Sequence, residues 1–382
     1  MERDFGLSED GRELVGLVRT WVEDRVTPSV ASYEEKKEFP RDLFRQLGEM
    51  GLAGIPYDER YGGGGQPYLN YLAVLEEIAT GSLPLGVTLS VHHLCAFGIE
   101  GFGSDDLKER YLPRMFSGDW LGAYALSEAS SGSDAASLRT RAEREAGGRS
   151  YRLSGSKRFI SHAGEAEVYL VMARTGGEGP GGISAFVVER GWDGFEFGKL
   201  EEKMGWHSSP MRELLFEGCA VPARNLVGEV GIGFRIALAA LEGGRLGIAA
   251  CSVGLAQAAL DAAVAFTNAR EQFGRPVIEN QAVQFMLADM ATSIEASRRL
   301  YREAARARDA GESSSIGASM AKVMASDTAM RVATDAVQLH GGYGYMQEYP
   351  VERFMREAKA LQIVEGTNQV QRMIIGRHLT GN

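Results

Sequence analysis

Cysteine is scarce in this chain of 382 residues. Cys95, Cys219 and Cys251 are far apart and form no CxxC pair, which argues against a disulfide framework and against a thiolate metal site. The six histidines show no HExxH or comparable ligand spacing. We therefore expect no metal.

An excess of basic residues is also missing. The chain has 41 Lys and Arg against 51 Asp and Glu, a net charge of −10 and a pI near 5.3. Nucleic acid binding needs a basic face that neutralises phosphates, so no nucleic acid partner is expected. A few local arginines can still bind a small anionic ligand.

Long uninterrupted hydrophobic runs are lacking as well. The longest apolar zone, residues 234–266, is broken by charged residues at 242, 245 and 261, so we predict no membrane span. The start MERDFGLSED has no apolar signal-peptide core and is too acidic for a transit peptide. A cytoplasmic location is the expectation.

Periodicity divides the chain into three parts. Leu14, Val18 and Trp21 recur at helical spacing behind Ser8, a candidate N-cap, and predict a helical domain over 1–120. Short β-prone runs such as GGISAFVVERG predict a β domain over 121–229. Helical spacing then returns over 230–382 and predicts an antiparallel bundle. One of its helices carries an apolar stripe formed by Ile316, Met320, Val323, Met330, Ala333 and Val337.

Two glycine-containing stretches resemble nucleotide-binding loops but lack residues that such loops require. The run GGGG at 62–65 lacks the Lys-Ser/Thr of a P-loop and predicts a flexible loop. GEVGIGFRIA has Ile where a dinucleotide-binding fingerprint needs Gly or Ala, and no alternating β/α pattern surrounds it.

Two stretches in the β region have the composition of a ligand site. YALSEASSGSDAAS, residues 124–137, carries small residues and hydroxyls that let backbone amides approach a flat or phosphate-bearing ligand, although an ordinary Ser/Gly loop has the same composition. In KRFISHAG, Phe159 and Ser161 lie two apart and share one face of a strand. Phe159 could equally be a core residue.

Three further stretches lie in the C-terminal region. Arg270 stands at a helix end, where it could clamp a pyrophosphate or remain solvated. QLHGGYGYMQEYPVERFMRE contains a Gly pair that permits close backbone approach or forms a helix C-cap. In LQIVEGTNQVQRM, Glu365 either takes part in chemistry or is a helix-end carboxylate facing water, because Gly366 and Thr367 resemble a C-cap and a new N-cap.

These five stretches, in this order, resemble the acyl-CoA dehydrogenase family over nearly the whole chain. The resemblance implies an α+β fold with an N-terminal α-helical domain, a β-barrel-like middle domain and a C-terminal four-helix bundle. It also implies FAD as cofactor, with oxidation of an acyl-CoA to the trans-2-enoyl-CoA. An electron-transferring flavoprotein is the implied electron acceptor.

The resemblance also implies roles for single residues. Glu365 matches the catalytic base, and the β-hydride passes to flavin N5. Matches to substrate-binding positions are Ser133, Glu242, Arg245 and Gly366. Matches to cofactor-binding positions are Tyr124, Leu126, Ser127, Gly132, Ser133, Phe159, Ile160, Ser161, Arg270, Phe273, Gln281, Gln338, Leu339, Gly341, Gly342, Thr367 and Gln369. Arg270, Gln281 and the stretch 338–342 match positions that bind the FAD of a neighbouring subunit, which implies a homotetramer.

Departures from the family pattern leave the substrate open. Val364 stands where Tyr is frequent and Glu242 where Asp is usual, so the acyl pocket is expected to differ. His92 and His93 are interpreted as a packed or surface pair, or as contacts to a polar substrate. A short- to medium-chain substrate is favoured. The alternatives are a branched or dicarboxylyl-CoA dehydrogenase, a flavin acyl-CoA oxidase, or a non-catalytic acyl-CoA-binding protein.

Overall fold

The computed structural model describes residues 6–381, and helices come first in the chain. These N-terminal helices are α1 (Glu9–Trp21), α2 (Val30–Lys36), α3 (Arg41–Glu49), α4 (Tyr68–Gly81), α5 (Leu83–Phe102) and α6 (Asp105–Phe116). The Ser8 side chain accepts a hydrogen bond from the Gly11 amide at 3.1 Å, so the predicted N-cap is confirmed. Helices α4 and α5 are buried on nearly all sides and form the core of this part.

A sheet follows the first helices. Its strands are β1 (Gly122–Ala125), β2 (Arg141–Arg144), β3 (Ser150–Ser161), β4 (Val168–Arg174), β5 (Ile183–Glu189), β6 (Phe195–Phe197), β7 (Met211–Pro222) and β8 (Leu226–Val227). The neighbour order is β6-β7-β3-β2-β4-β5-β8, and β1 pairs in parallel with β4. The ladder between β3 and β7 shifts register between Lys157 and Ile160, at Phe159 with φ +60°. This bulge re-aims the predicted aromatic side chain.

The last part is again helical. It contains α7 (Gly233–Ala269), the short hairpin β9 (Glu271–Gln272) and β10 (Arg275–Pro276), α8 (Gln281–Asp309), α9 (Ser315–His340), α10 (Val351–Leu361) and α11 (Asn368–Thr380). Helix α7 has 37 residues and is therefore about 55 Å long. Residues 243–257 of this helix are all buried. At Gly254 a Cβ would lie 2.2 Å from the Glu76 carbonyl oxygen, so glycine permits the close approach of α7 to α4.

Helix α9 confirms the predicted long helix but not its apolar stripe. Met320 is 37% exposed, and the neighbouring large residues of the stripe are only half-buried. Apart from Thr328, Val332 and His340, the buried residues are small side chains and one lysine, and of the predicted stripe they include only Ala333: Ala318, Ser319, Ala321, Lys322, Ala325, Ser326, Ala329, Ala333 and Ala336. Small residues let two helices approach closely, so packing selected them instead of the larger apolar residues.

A buried charge cluster joins α4 to α8. The Glu76 carboxylate accepts hydrogen bonds from Arg298 Nε at 2.7 Å, from Arg302 at 3.4 Å and from the Tyr301 hydroxyl. Glu76 and Arg298 are each 2% exposed. Removing one partner from such a cluster leaves buried charge uncompensated.

Two helices within residues 6–381, Leu83–Phe102 and Gly233–Ala269, are long and apolar enough to cross a membrane by length and composition. By that measure the charged interruptions at 242, 245 and 261 do not disqualify the second helix. In each helix, 72% of the apolar window is buried inside the fold, as in the core helices of soluble proteins.

The glycine run at 62–65 is a loop whose backbone amides are already used. The amides of Gly63, Gly64 and Gly65 donate to backbone carbonyls of Asp58, Gly54 and Tyr57 at 2.9 to 3.1 Å. These amides are not free to bind a phosphate.

Candidate active site

Glu365 lies in a turn between α10 and α11. Helix α10 ends at Leu361, and the Thr367 side chain caps α11 by accepting a hydrogen bond from the Val370 amide at 3.3 Å. The predicted new N-cap is confirmed, but the preceding helix ends one turn earlier than expected. Glu365 has φ +54° and Gly366 has φ +90°. A non-glycine residue adopts this left-handed conformation at a cost of about 1–3 kcal/mol and is often part of a functional site.

The Glu365 carboxylate does not face water. Both oxygens are buried and have no hydrogen-bond partner within residues 6–381. They lie over α7 at Gly244, where a Cβ would come within 1.9 Å of Oε2 and 2.8 Å of the Leu94 side chain. Burial raises the pKa of Glu365 to about 8, and the charges of Lys322 and Arg245 oppose this rise in part. Such a carboxylate can accept a proton near neutral pH.

Lys322 holds the turn that carries Glu365. Its ammonium is fully buried and donates to the Gly366 carbonyl at 3.1 Å and to Asn368 Oδ1 at 2.7 Å. Burial lowers the pKa of Lys322 to about 8, while the neighbouring Glu365 and Asp327 charges oppose this shift. The lysine thus fixes the backbone on the C-terminal side of Glu365.

The backbone of the turn leaves three donors available, the amides of Glu365, Gly366 and Thr367. Gln371 Nε2 donates to the carbonyls of Glu365 at 3.3 Å and of Gly366 at 3.0 Å. Within residues 6–381 the Glu365 amide donates to no protein group. A carboxylate and an unused N–H are therefore presented from one residue.

The predicted substrate residues of α7 lie around this carboxylate. Arg245 is 7% exposed and its Nε has no partner among the described residues. Burial lowers the pKa of Arg245, while Glu365, Glu242 and Tyr124 raise it, so these four side chains share one electrostatic environment. Glu242 is anchored by the Ser314 hydroxyl, which donates to Oε1 at 2.6 Å.

A buried ion pair positions the segment after β1 against β3. Lys157 Nζ donates to the Leu126 carbonyl at 3.1 Å and to Glu128 Oε1 at 2.8 Å. The Arg158 amide donates to the Ser127 carbonyl at 2.8 Å. The predicted residues at 126–127 are thereby held beside those at 159–161.

The aromatic residue of this strand is not a core residue. The Phe159 side chain is 60% exposed, whereas Ile160 is 2% exposed and packs into the main core. Any contact of Ile160 with a ligand must therefore use its backbone. Gly132 and Ser133 are exposed in the loop after β1.

A second group of predicted residues lies elsewhere on the chain. A cavity of about 470 Å³ near the end of α9 is lined by Arg270, Gln338, Leu339, Gly341 and Gly342. Phe273 and Gln281 are exposed just beyond it in sequence, at the tip of the β9–β10 hairpin and the start of α8. Arg270 follows Arg245 by 25 positions along and just past α7, a separation of about 37 Å. The predicted residues thus form two separate groups, which we call the two half-sites for the purpose of description.

Three family models match the chain. They are the acyl-CoA dehydrogenase N-terminal domain over residues 8–119, the middle domain over 123–219 and the C-terminal domain over 231–380. The chain belongs to the acyl-CoA dehydrogenase family. The resemblance of its five stretches is therefore confirmed, as are the helical, β and helical parts of the fold.

Relatives of this acyl-CoA dehydrogenase are similar over nearly their whole lengths. An acyl-CoA dehydrogenase of Bacillus subtilis is 47% identical over 96% of each chain. The mitochondrial isobutyryl-CoA dehydrogenase of Dictyostelium discoideum is 43% identical over 98% of this chain and 90% of its own.

Solved structures have the same fold. Butyryl-CoA dehydrogenase from Megasphaera elsdenii superposes with a TM-score of 0.96 at 43% identity, over 99% of this chain and 100% of that one. A chain solved in work on the electron transferring flavoprotein of Acidaminococcus fermentans gives 0.97 at 46% identity, with the same coverage.

Members of the acyl-CoA dehydrogenase family depend on FAD. A glutaryl-CoA dehydrogenase from Mycobacterium smegmatis was solved with FADH2, and its structure superposes with a TM-score of 0.93 at 29% identity, over 98% of this chain and 96% of that one. The two half-sites suit such a group. Phe159 offers an exposed aromatic face, and nothing lies within 4 Å of where a Cβ would be at Gly341 or Gly342, so the backbone there is open to a ligand. Arg270 lines the same cavity as these glycines and is a side chain of the type that binds a pyrophosphate.

Two residues of this acyl-CoA dehydrogenase site were missed from the sequence. Gly244 was visible only as part of a Gly pair inside an apolar helix, and Lys322 as a lone charge on a face of Ala and Ser. A lysine among small residues of a long helix is the one signal that could have marked a buried cation. Within residues 6–381 no group of three or more His, Cys, Asp or Glu could hold a metal ion.

Proposed function

We propose that this enzyme oxidises a short- to medium-chain acyl-CoA to the trans-2-enoyl-CoA, with Glu365 as the base. The observation that carries the proposal is the buried, unpartnered carboxylate whose pKa is raised to about 8. A positioned base of matched pKa typically contributes roughly 10² to 10⁴-fold to the rate. The proton leaves the carbon α to the thioester and passes to Glu365.

Bound FAD would supply the acceptor for the hydride that leaves the β-carbon. The electron pair of the broken Cα–H bond forms the double bond between the α- and β-carbons, so protons and electrons balance. We assign the Glu365 amide, one of three unused amides in the turn, as the hydrogen-bond donor to the thioester carbonyl, where it stabilises the enolate as it develops. Lys322 holds this amide and carboxylate in one fixed turn.

The size of the acyl group is proposed from the cavity beside Gly244. This cavity, of about 280 Å³, extends from Gly244 to the α5 helix. It lies at the lower limit of ligand pockets, which typically span roughly 300–1,000 Å³. Relatives named for butyryl-CoA and isobutyryl-CoA support a short acyl group, and Val364 in place of a frequent Tyr leaves room for a branch.

Anaerobic bleaching of the bound flavin tests this proposal. Butyryl-, isobutyryl-, octanoyl- and glutaryl-CoA are mixed separately with the FAD-loaded enzyme, and the loss of flavin absorbance is followed. We expect the short esters to bleach fastest and Glu365→Gln to slow bleaching by at least 100-fold. Glu35→Gln, at an exposed position of α2, is the matched control. Bleaching of Glu365→Gln at the wild-type rate would contradict the assigned base.

We further propose that each FAD site combines half-sites of two chains. The separation of about 37 Å along α7 between Arg245 and Arg270 supports this, because the two groups of one chain are too far apart to enclose one reacting centre. Arg270, Phe273, Gln281 and residues 338–342 then serve the FAD of the neighbouring chain. A homotetramer is the proposed assembly.

Subunit complementation tests the shared site. Glu365→Gln and Arg270→Ala chains are each expected to be inactive alone. When they are co-expressed and mixed at random, half of the dimers are hybrids, and one of the two sites in each hybrid carries no substitution. About a quarter of wild-type activity is therefore expected. No recovery, with hybrids demonstrated by two affinity tags, would refute a site shared between chains.

The electron acceptor proposed is an electron-transferring flavoprotein, supported by the similarity to the Acidaminococcus fermentans chain. The cytoplasmic location and the domain limits 1–120, 121–229 and 230–382 remain predictions, as do the roles of Thr367 and Gln369 at the cofactor.

A further inference from the structure

The cavity beside Gly244 has an unusually polar end. It is lined there by Ser90 and His93 of α5, which are 1% and 4% exposed. Ser90 Oγ and both ring nitrogens of His93 have no hydrogen-bond partner in the part of the chain that the structure describes. Buried polar atoms without partners cost free energy, so a partner supplied by a ligand would stabilise them.

Ser90 lacks the hydrogen bond that several other hydroxyl residues in the helices of this protein make. Thr20, Ser252 and Thr334 each donate to the carbonyl four residues earlier, at 2.7 to 3.2 Å. This back-bonding is the usual way in which a helical serine satisfies its hydroxyl. The Ser90 hydroxyl instead lies against α7, 2.4 Å from where a Cβ of Gly247 would be. It is therefore free to bond a group inside the cavity.

The packing around His93 fixes the orientation of its ring and keeps the imidazole neutral. The ring stacks on Tyr71 with centroids 4.2 Å apart and planes 6° apart, and it also contacts Tyr57. Burial, and after it the adjacent His92, lowers the pKa of His93 well below its ordinary value. A neutral imidazole offers one donor and one acceptor. His92, by contrast, accepts a hydrogen bond from the Gly122 amide at 3.0 Å and belongs to the packed core.

The charged residues of the lining decide between ligand classes. Arg308 lies over the Tyr68 ring at 4.3 Å, and the carboxylates of Glu100 and Asp309 line the same cavity. Asp309 accepts hydrogen bonds from the amides of Tyr68 and Leu69 at 2.7 and 3.1 Å. One cation against two carboxylates disfavours an acyl chain that ends in a third carboxylate. A hydroxyl, which can both donate and accept, matches Ser90 and neutral His93.

We propose that the substrate is an acyl-CoA whose chain carries a hydroxyl group beyond the β-carbon, bound between Ser90 and His93. This inference rests on the proposed function and names the substrate class of the same site. A hydroxylated chain suits a short cavity with a polar end, because a purely aliphatic chain would leave Ser90 Oγ and both ring nitrogens of His93 unpaired. The binding energy of the hydroxyl would then help to align the α-proton with Glu365.

Pairs of substrates of equal length test the proposal. The ω-hydroxyacyl esters 4-hydroxybutyryl-, 5-hydroxyvaleryl- and 6-hydroxyhexanoyl-CoA are each compared with the alkyl ester in which a methyl replaces the hydroxyl. The FAD-loaded wild-type enzyme is expected to prefer at least one hydroxyacyl ester by roughly ten-fold in kcat/KM, the effect of one or two net hydrogen bonds. His93→Phe keeps the ring stack and should reduce this ratio to about one, as should Ser90→Ala in part. Ser252→Ala, a buried helical serine outside the cavity, should keep the wild-type ratio.

Binding measurements separate this inference from the reaction itself. The same pairs are titrated calorimetrically into FAD-loaded Glu365→Gln protein, so the preference is measured without turnover. If no thioester bleaches the flavin but the hydroxyl preference persists in binding, the proposed reaction fails and the polar subsite stands. Equal binding of both members of every pair, a preference for glutaryl-CoA over the hydroxyacyl esters, or an unchanged ratio in His93→Phe would overturn the inference.

Discussion

Gly244→Ala separates the position of the Glu365 carboxylate from the stability of the fold. Glycine in a helix interior is less favourable than alanine by roughly 0.5–1 kcal/mol, so helix propensity alone predicts a small gain in stability. The added Cβ, however, would lie 1.9 Å from Glu365 Oε2 and 2.7 Å from its Cδ. Alanine and the carboxylate cannot both keep these positions.

The required displacement sets the size of the effect. Ordinary contact with a Cβ begins near 3.4 Å, so the carboxylate must retreat by about 1.5 Å. A misplacement of about 1 Å can cost roughly 100-fold in rate, and we therefore expect kcat/KM to fall by about 100-fold or more. Thermal unfolding should change little, because the added Cβ meets only the ends of the Glu365 and Leu94 side chains, which can rotate away without moving the backbone of the turn or of α7.

Steady-state kinetics and thermal unfolding measure both quantities on one preparation. Gly16→Ala in α1 is the matched control, because nothing lies within 4 Å of its added Cβ. It should gain the same helix propensity and keep full activity. Combining Gly244→Ala with Glu365→Asp, which shortens the base, should cost less than the sum of the two separate losses. Gly244→Ala enzyme that retains more than a third of wild-type kcat/KM would refute the placement of Glu365 over Gly244.

Four further outcomes are expected. Because Glu365 must be ionised to act and its pKa is about 8, kcat/KM should rise with pH and level off above pH 8. A flat profile from pH 6 to 9 would exclude Glu365 as the base. A carboxyl whose pKa is higher in the folded than in the unfolded state stabilises folding at low pH, and this stabilisation is lost as pH rises to about 8. At pH 9 the Tm of Glu365→Gln should therefore exceed the Tm of the wild type. Near pH 4.5 the two Tm values should be similar. Lys322→Met should lower kcat/KM at least ten-fold and move the midpoint of the kcat/KM pH profile upward. The reason is that the variant loses a buried cation that opposes the rise in the Glu365 pKa. Lys36→Met, at an exposed position, should change neither quantity. Glu76→Gln should lower the free energy of unfolding in urea by about 3–5 kcal/mol, because Arg298 loses its buried carboxylate partner; a loss below about 1 kcal/mol would mean that water or another residue compensates.

The order of helices and strands could be predicted because each part has its own period. Ser8 as N-cap and the long helix around Met330 followed from local patterns, and both are present. Which face of that helix is buried did not follow. Hydrophobicity favoured Met320, whereas the close approach of α7 selected alanine, and this approach depends on contacts distant in sequence.

The candidate site was predictable as a set of residues but not as a geometry. Periodicity and composition left Glu365 and Phe159 undecided between structural and functional roles, and the family resemblance gave them roles. Neither source indicated that Glu365 adopts φ +54° or that Lys322 fixes its turn. A local pattern does not show that a lysine more than 40 positions away reaches the turn carbonyl. The polar end of the cavity was foreseen only as an open alternative for His93.

Helix α7 acts as a spacer between catalysis and assembly. It bears Arg245 about a third of the way along and leads into Arg270 at its C-terminal end. One inserted residue would advance the Arg270 end by 1.5 Å and rotate it by about 100°, turning it away from any partner surface. Only about seven residues, two turns, would restore the direction, and they would lengthen the helix by about 10 Å. If two chains share each site, the length of this helix is fixed by the distance between neighbouring active centres, and its residue count is as functionally constrained as the identity of the base.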